Sequence, residues 1–193
     1  MSGTSQFTVF TVGHSTRSID EFLNLLKTYD VTLVVDVRAV PRSRHNIQFT
    51  KETLPESLKP AAIHYIHIPE LGGLRRAKPD SENLAVEKSL RGYADYMQTK
   101  EFTEHLLELV ALIQQNRVAL MCAEAAPWRC HRSLLSDALV ARGIKVQHIL
   151  TETSSTTHEL TPLANVEGTK VTYSLFVKEK TQKTLFDFND GAT

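Results

Sequence analysis

Cysteine is scarce, net charge is absent and no apolar run is long, and each shortage removes a class of protein. The 193 residues hold two cysteines, Cys122 and Cys130. That is too few for a secreted disulfide framework, and in a reducing compartment both are expected as thiols. Lysine plus arginine number 22 and aspartate plus glutamate 22. Overall charge therefore gives no reason to expect a general binder of polyanions or of acidic membrane surfaces. No stretch approaches the roughly 18 apolar residues of a membrane span. The opening MSGTSQFTVFTV lacks the basic start and long apolar core of a secretory signal. The expectation is a cytoplasmic protein with no membrane partner. No internal repeat or low-complexity block is present.

What is there alternates between two periodicities. FTVFTV (7–12), TLVVDV (32–37), AIHYIHI (62–68), VALM ending in Cys122, and KVQHIL (145–150) read as strands, several of them apolar enough to be covered on both faces. Between them, apolar residues recur at helical spacing after Ser18, from Leu90, from Phe102 and from about His131. Ser18-Ile-Asp-Glu21 has the form of a capping box, and Gly143 that of a helix C-cap. A short helix over 50–58 tolerates Pro55 in its first turns. Strand and helix in alternation predict a single α/β domain, a mostly parallel sheet of about five strands with helices on both faces. Residues 1–160 carry that pattern. Residues 161–193 form a C-terminal extension, in which VTYSLFV (171–177) is a candidate edge strand.

Residues 117–143 run strand, polar loop, helix, and open α/β sheets bind ligands just beyond the carboxyl ends of their strands. Cys122 and Glu124 fall at such an end, as do His14 after the first strand and Asp36 in the second. As a nucleophile, Cys122 faces a helix N-terminus and basic residues, which lower a thiol pKa. Against this, the loop has no glycine for an amide nest, and small buried cysteines are common at strand ends. A metal held by Cys122, Cys130, His131 and His14 suffers from seven residues between the cysteines, where structural zinc loops have two to four. No metal is assigned and no cofactor can be named. Glu124 and Asp36 can divide acid and base work if their environments differ, or each can pair with a nearby arginine, Asp36 with Arg38 or Arg132. His14, beside Ser15, is either a proton relay or a hydrogen-bonded structural histidine.

The arginines are the stronger signal. Loops 36–51, 70–80 and 122–132 together carry nine basic residues against four acidic ones. Arg38, Arg42, Arg44, Arg75 and Arg132 supply guanidinium forks suited to phosphate or carboxylate. Ser43, Gly72, Gly73 and His131 lie in the same loops as further ligand-binding candidates, and Ser15 is another in the loop after the first strand.

The pieces TVGHS (11–15), DVRAVPRSR (36–44), YIHIPELGGLR (65–75), MCAEAAPWRCHR (121–132) and KVQHI (145–149) together resemble the domain-of-unknown-function 488 family, a group of small intracellular proteins. The resemblance covers roughly residues 7–160, in order. It implies a compact α/β fold and brings no activity with it. The C-terminal extension falls outside the pattern. There, Gln182, Leu185, Phe186 and Phe188 of QKTLFDF look like the anchors of a peptide that docks replication and repair proteins on sliding clamps.

These readings predict an enzyme, a hydrolase or transferase, acting on an anionic ligand: a phosphorylated metabolite, nucleotide or nucleic-acid end. His14, Asp36, Cys122 and Glu124 are its candidate catalytic groups. The alternatives are a DNA-maintenance module recruited to a clamp by the tail, and a ligand sensor without catalysis.

Overall fold

A computed structural model of the chain describes residues 7–175. Thr8–Gly13 is β1, and α1 (Ile19–Thr28) follows it. The Ser18 box forms: Glu21 N donates to Ser18 Oγ at 3.2 Å, and Ser18 N donates to Glu21 Oε2 at 2.7 Å. β2 (Leu33–Asp36), α2 (Leu54–Leu58) and β3 (His64–His67) come next. Two successive helices, α3 (Lys88–Tyr96) and α4 (Lys100–Gln115), precede β4 (Val118–Cys122). Then come α5 (Arg132–Val140) and β5 (Lys145–Thr151). Gly143, at φ 76°, supplies the left-handed turn between them.

The sheet has the strand order β3-β2-β4-β1-β5-β6, parallel except for the last strand. That strand, β6 (Ser154–Thr157), was not expected: it hairpins back on β5, and all four of its residues are exposed. The sheet therefore has six strands rather than about five. A separate hairpin joins β7 (Asn165–Glu167) to β8 (Lys170–Thr172). The edge strand expected over 171–177 lies partly outside the described residues. Within them, 170–172 pairs with β7, because β6 already occupies the β5 edge.

Strand parity divides the core in two. Phe10, Val12, Val34, Ala119 and Met121 meet Phe22, Leu25 and Leu26 of α1 and Leu54 and Leu58 of α2. Val9, Leu33, Val35, Val118 and Leu120 meet α3, α4 and α5 on the other face, through residues such as Tyr93, Leu106, Leu109 and Leu135. Helices thus cover both faces, as the near-continuous apolar strands require.

Tyr173, just past β8, is fully buried, and its hydroxyl donates to Asp137 Oδ2 of α5 at 2.6 Å. This bond pins the small hairpin to the main body. Tyr173→Phe is expected to lower stability by about 1.5–3 kcal/mol, the range for a buried hydrogen bond to a carboxylate. Urea denaturation of the full chain measures it, and an unchanged midpoint would refute the pinning role.

Candidate functional site

In the sheet, β1 and β4 are neighbours whose connections leave in opposite directions. From β1 the chain crosses to β2 through α1 on one face, and from β4 it crosses to β5 through α5 on the other. Such a divergence opens a crevice at the carboxyl ends of the two strands. Here it is a cleft of about 360 Å³ lined by His14, Ser15, Asn46, residues 123–126 and Arg129. Gly13 allows the close fit: a Cβ there would run into the Glu124 carbonyl. Ser15, at φ 50°, turns the chain away, and its amide donates to Ala123 O at 2.9 Å.

On the α1 face of the cleft, Asp36 is fully committed. Arg38 grips it through Nε at 2.8 Å and Nη2 at 2.6 Å, its amide adds a bond at 3.1 Å, and Tyr65 O–H donates at 2.7 Å. All four lone-pair positions of the carboxylate are then used. Arg38 also donates to Phe49 O at 2.7 Å and to His14 Nε2 at 3.1 Å. A guanidinium only donates, so His14 Nε2 accepts and Nδ1 carries the proton, given to Ser15 O at 2.8 Å. Burial, with Arg38 beside it, lowers the His14 pKa to about 4. The ring stacks on Phe49, centroids 4.4 Å apart. His14 is therefore a neutral, fully bonded structural imidazole, and Asp36 is the partner of Arg38.

Cys122 points to the opposite face, following Leu120. The expected proton-transfer set is thus split by the sheet, His14 and Asp36 on one side and Cys122 on the other. Cys122 Sγ lies 3.4 Å from Cys130 Sγ, both buried. This contact drives the Cys122 thiol well up and draws Cys130 down to about 6, where Arg132 also favours the thiolate. The more acidic thiol is the one that the strand–loop pattern does not single out.

Arg132 is 1% exposed. It donates to the carbonyls of Glu124 and Ala125, to Thr11 Oγ1 at 3.3 Å and, through Nε, to Cys130 Sγ at 3.3 Å. Its donors face the loop from within rather than a ligand. His131 donates from Nε2 to Val37 O at 3.0 Å, and burial depresses its pKa to about 4. Gly73 abuts the His131 ring and Gly72 abuts Ala39, so both are packing glycines that hold the loops together. Arg75 donates to Glu70 O at 2.6 Å and lies 3.7 Å above the Tyr96 ring. Ser43 Oγ accepts from the amides of His45 and Asn46 and closes a turn.

What stays open to solvent is a smaller set. Glu124 and Arg129 are exposed on the cleft, and Arg42 and Arg44 are exposed on the loop leading to Asn46. None of these four side chains has a hydrogen-bond or ionic partner among the described residues. The amides of Glu124, Ala125 and Ala126 likewise donate to no acceptor there. In the sequence Arg129 counts only among the nine basic residues of the three loops, and it is a lining residue of the cleft. Among the described residues no group of three or more His, Cys, Asp or Glu is placed to hold a metal, and no helix is long and apolar enough to cross a membrane. Gln182, Leu185, Phe186 and Phe188 lie outside the described residues.

A second polar chain had no signature in the sequence. Asp137 Oδ1 accepts from His158 Nε2 at 2.8 Å, His158 Nδ1 meets His148 Nε2 at 2.9 Å, and His148 Nδ1 meets Thr11 Oγ1 at 2.7 Å. It ends on the hydroxyl that Arg132 also reaches, and burial takes His148 down to about 3.

Acid is expected to destabilise the fold through these imidazoles. His14 and His131 take protons only near pH 4 and His148 only near pH 3, against an ordinary 6.5. Below 6.5 the unfolded chain binds protons that the folded chain refuses. Stability is therefore complete above that value and falls as pH drops toward 4, by up to about 1.4 kcal/mol per pH unit for each histidine. Urea midpoints at pH 7 and pH 5 measure this, and a flat profile would contradict it. Asp36→Asn, which breaks the buried pair with Arg38, is expected to cost about 3–5 kcal/mol in the same assay.

The family model described as "Domain of unknown function DUF488" matches residues 18–139, from the cap of α1 to the last turn of α5. No curated protein and no solved structure matches. The matched span takes in more than half of the chain, with β2, β4 and the loop that walls the cleft, and the chain belongs to the domain of unknown function 488 family.

Proposed function

We propose that the cleft between the ends of β1 and β4 binds a phosphate-bearing anion, a phosphorylated metabolite, nucleotide or nucleic-acid end, and that the protein acts on it as a hydrolase or transferase. The observation that carries this reading is the position of the cleft at the divergence of the β1 and β4 connections, the usual ligand crevice of an open α/β sheet. Its wall supports the choice of an anion. The unpartnered amides of residues 124–126 can face phosphate oxygens as a nest does, and Arg129 adds a guanidinium at the same wall. Ser15 lines the cleft, and Arg42 and Arg44 are exposed in the loop that leads to Asn46, another lining residue. Glu124 takes the acid–base role, being the exposed carboxylate of the cleft. Arg38, Arg75, His131 and Arg132 act indirectly, by holding the loops in place.

Calorimetry with inorganic phosphate and a nucleoside monophosphate tests the binding. Arg129→Ala is expected to weaken it about tenfold, some 1.4 kcal/mol. Glu124→Gln should leave binding intact and remove turnover in a phosphoester screen. Absence of binding by either ligand, or affinity indifferent to Arg129→Ala, would sink the proposal. The QKTLFDF motif favours a second reading, recruitment to a sliding clamp. Clamp titration against the full chain and Phe186→Ala separates the two, since loss of clamp binding in the variant leaves phosphate binding untouched.

A further inference from the structure

Behind the cleft wall, two buried thiols share a contact that neither the fold nor the cleft reading uses. Cys122 ends β4, and Cys130 follows the single turn Pro127–Arg129, which brings the chain back so that the sulfurs lie 3.4 Å apart. A third group meets them: Arg132 Nε is 3.3 Å from Cys130 Sγ while the rest of its guanidinium is held by the Glu124 and Ala125 carbonyls and Thr11. A packing role needs neither two sulfurs in contact nor a fixed cation on one of them. We propose that Cys122 and Cys130 are a redox-active dithiol, oxidised by a small hydroperoxide such as hydrogen peroxide to a disulfide that closes the 122–130 loop.

The arrangement assigns the two sulfurs different parts. Arg132 Nε, 3.3 Å from Cys130 Sγ, makes Cys130 the sulfur favoured as the thiolate, the nucleophilic form, and in the proposal Cys122 is the thiol that donates across the 3.4 Å contact. The Cys130 sulfur attacks one peroxide oxygen, forming an S–O bond as the O–O bond breaks. The departing hydroxide takes a proton from solvent and leaves as water, and Cys130 is a sulfenic acid. Cys122 then attacks that sulfur. The S–S bond forms, the S–O bond breaks, and the hydroxide leaves as water with the Cys122 proton. Two thiols and one peroxide become one disulfide and two waters, two electrons passing from sulfur to oxygen. The sulfurs must close from 3.4 Å to a bond of about 2.05 Å, a side-chain adjustment. Cys122 is 2% exposed and Cys130 6%, so a small neutral oxidant reaches them more readily than a bulky disulfide such as oxidised glutathione.

The test uses the reduced full chain and is independent of what the cleft binds. The chain is exposed to hydrogen peroxide, quenched, denatured, alkylated and weighed. The expected result is joint loss of both alkylation sites in a monomer lighter by two hydrogens, reversed by dithiothreitol. Cys122→Ser should stop at a Cys130 sulfenic acid that dimedone traps, and Cys130→Ser should resist the same dose. Two thiols surviving a dose that oxidises free cysteine, loss of one thiol alone, or disulfides only between chains would overturn the proposal. So would a sulfenic acid found on Cys122 of Cys130→Ser. The wild-type thiol count decides the matter even if a variant fails to fold.

Discussion

A guanidinium with 1% of its surface exposed must find its acceptors inside the protein, and Arg132 finds them across three elements. Its bonds to Glu124 and Ala125 fasten the loop after β4, its bond to Thr11 fastens that loop to β1, and its contact with Cys130 fastens the return of the loop into α5. Removing a buried charge from water is costly unless every donor is matched. Two of its four acceptors are backbone carbonyls of this loop, so the arginine rather than a glycine turn fixes the loop conformation. The shape of the cleft depends on this one side chain, although its charge does not face the cleft.

Arg38 performs the corresponding task on the other face. It joins Asp36 of β2, His14 after β1 and Phe49 of the following loop. The two arginines sit on opposite sides of the sheet, because Asp36 shares the parity of Val34 and Cys122 that of Leu120. Together they clamp the ends of β1, β2 and β4 from both layers. The basic excess of the loops is therefore heterogeneous: Arg38 and Arg132 are framework, Arg75 is half-buried on Tyr96, and Arg42, Arg44 and Arg129 face solvent.

Much of this was legible in the sequence where a local rule governs. Ser18 and Glu21 form the predicted box, the runs TLVVDV and VALM form strands covered on both faces, and the loops carrying GHS, DVRA, GG and CAE meet at one edge. The pairing of Asp36 with Arg38 was one of the readings that the sequence left open. Where register decides, the sequence was silent. Nothing in TETSSTTHEL marks an edge strand, since its four strand residues are exposed and polar. The chain from Asp137 through His158 and His148 to Thr11 exists because β5 lies beside β1 with His148 opposite Thr11. Counting arginines could not sort buried from exposed, because each looks the same until the carbonyls around it are placed.

That sorting narrows the chemistry open to the cleft. His14 has both ring nitrogens bonded, His131 is buried and bonded to Val37, and Asp36 has no lone pair to spare, so none of them can pass a proton to a ligand without undoing the framework. Cys122 is buried against Cys130. Glu124 is left as the exposed carboxylate, in the same stretch of chain as the unpartnered amides of 124–126 and close in sequence to Arg129. On the proposed reading, such a site would stabilise negative charge on oxygen through the amide dipoles and Arg129 and would leave proton transfer to Glu124. Phosphoryl chemistry, which relies on positioning and charge stabilisation more than on covalent help from the protein, fits such a site better than acyl transfer through a histidine-activated nucleophile.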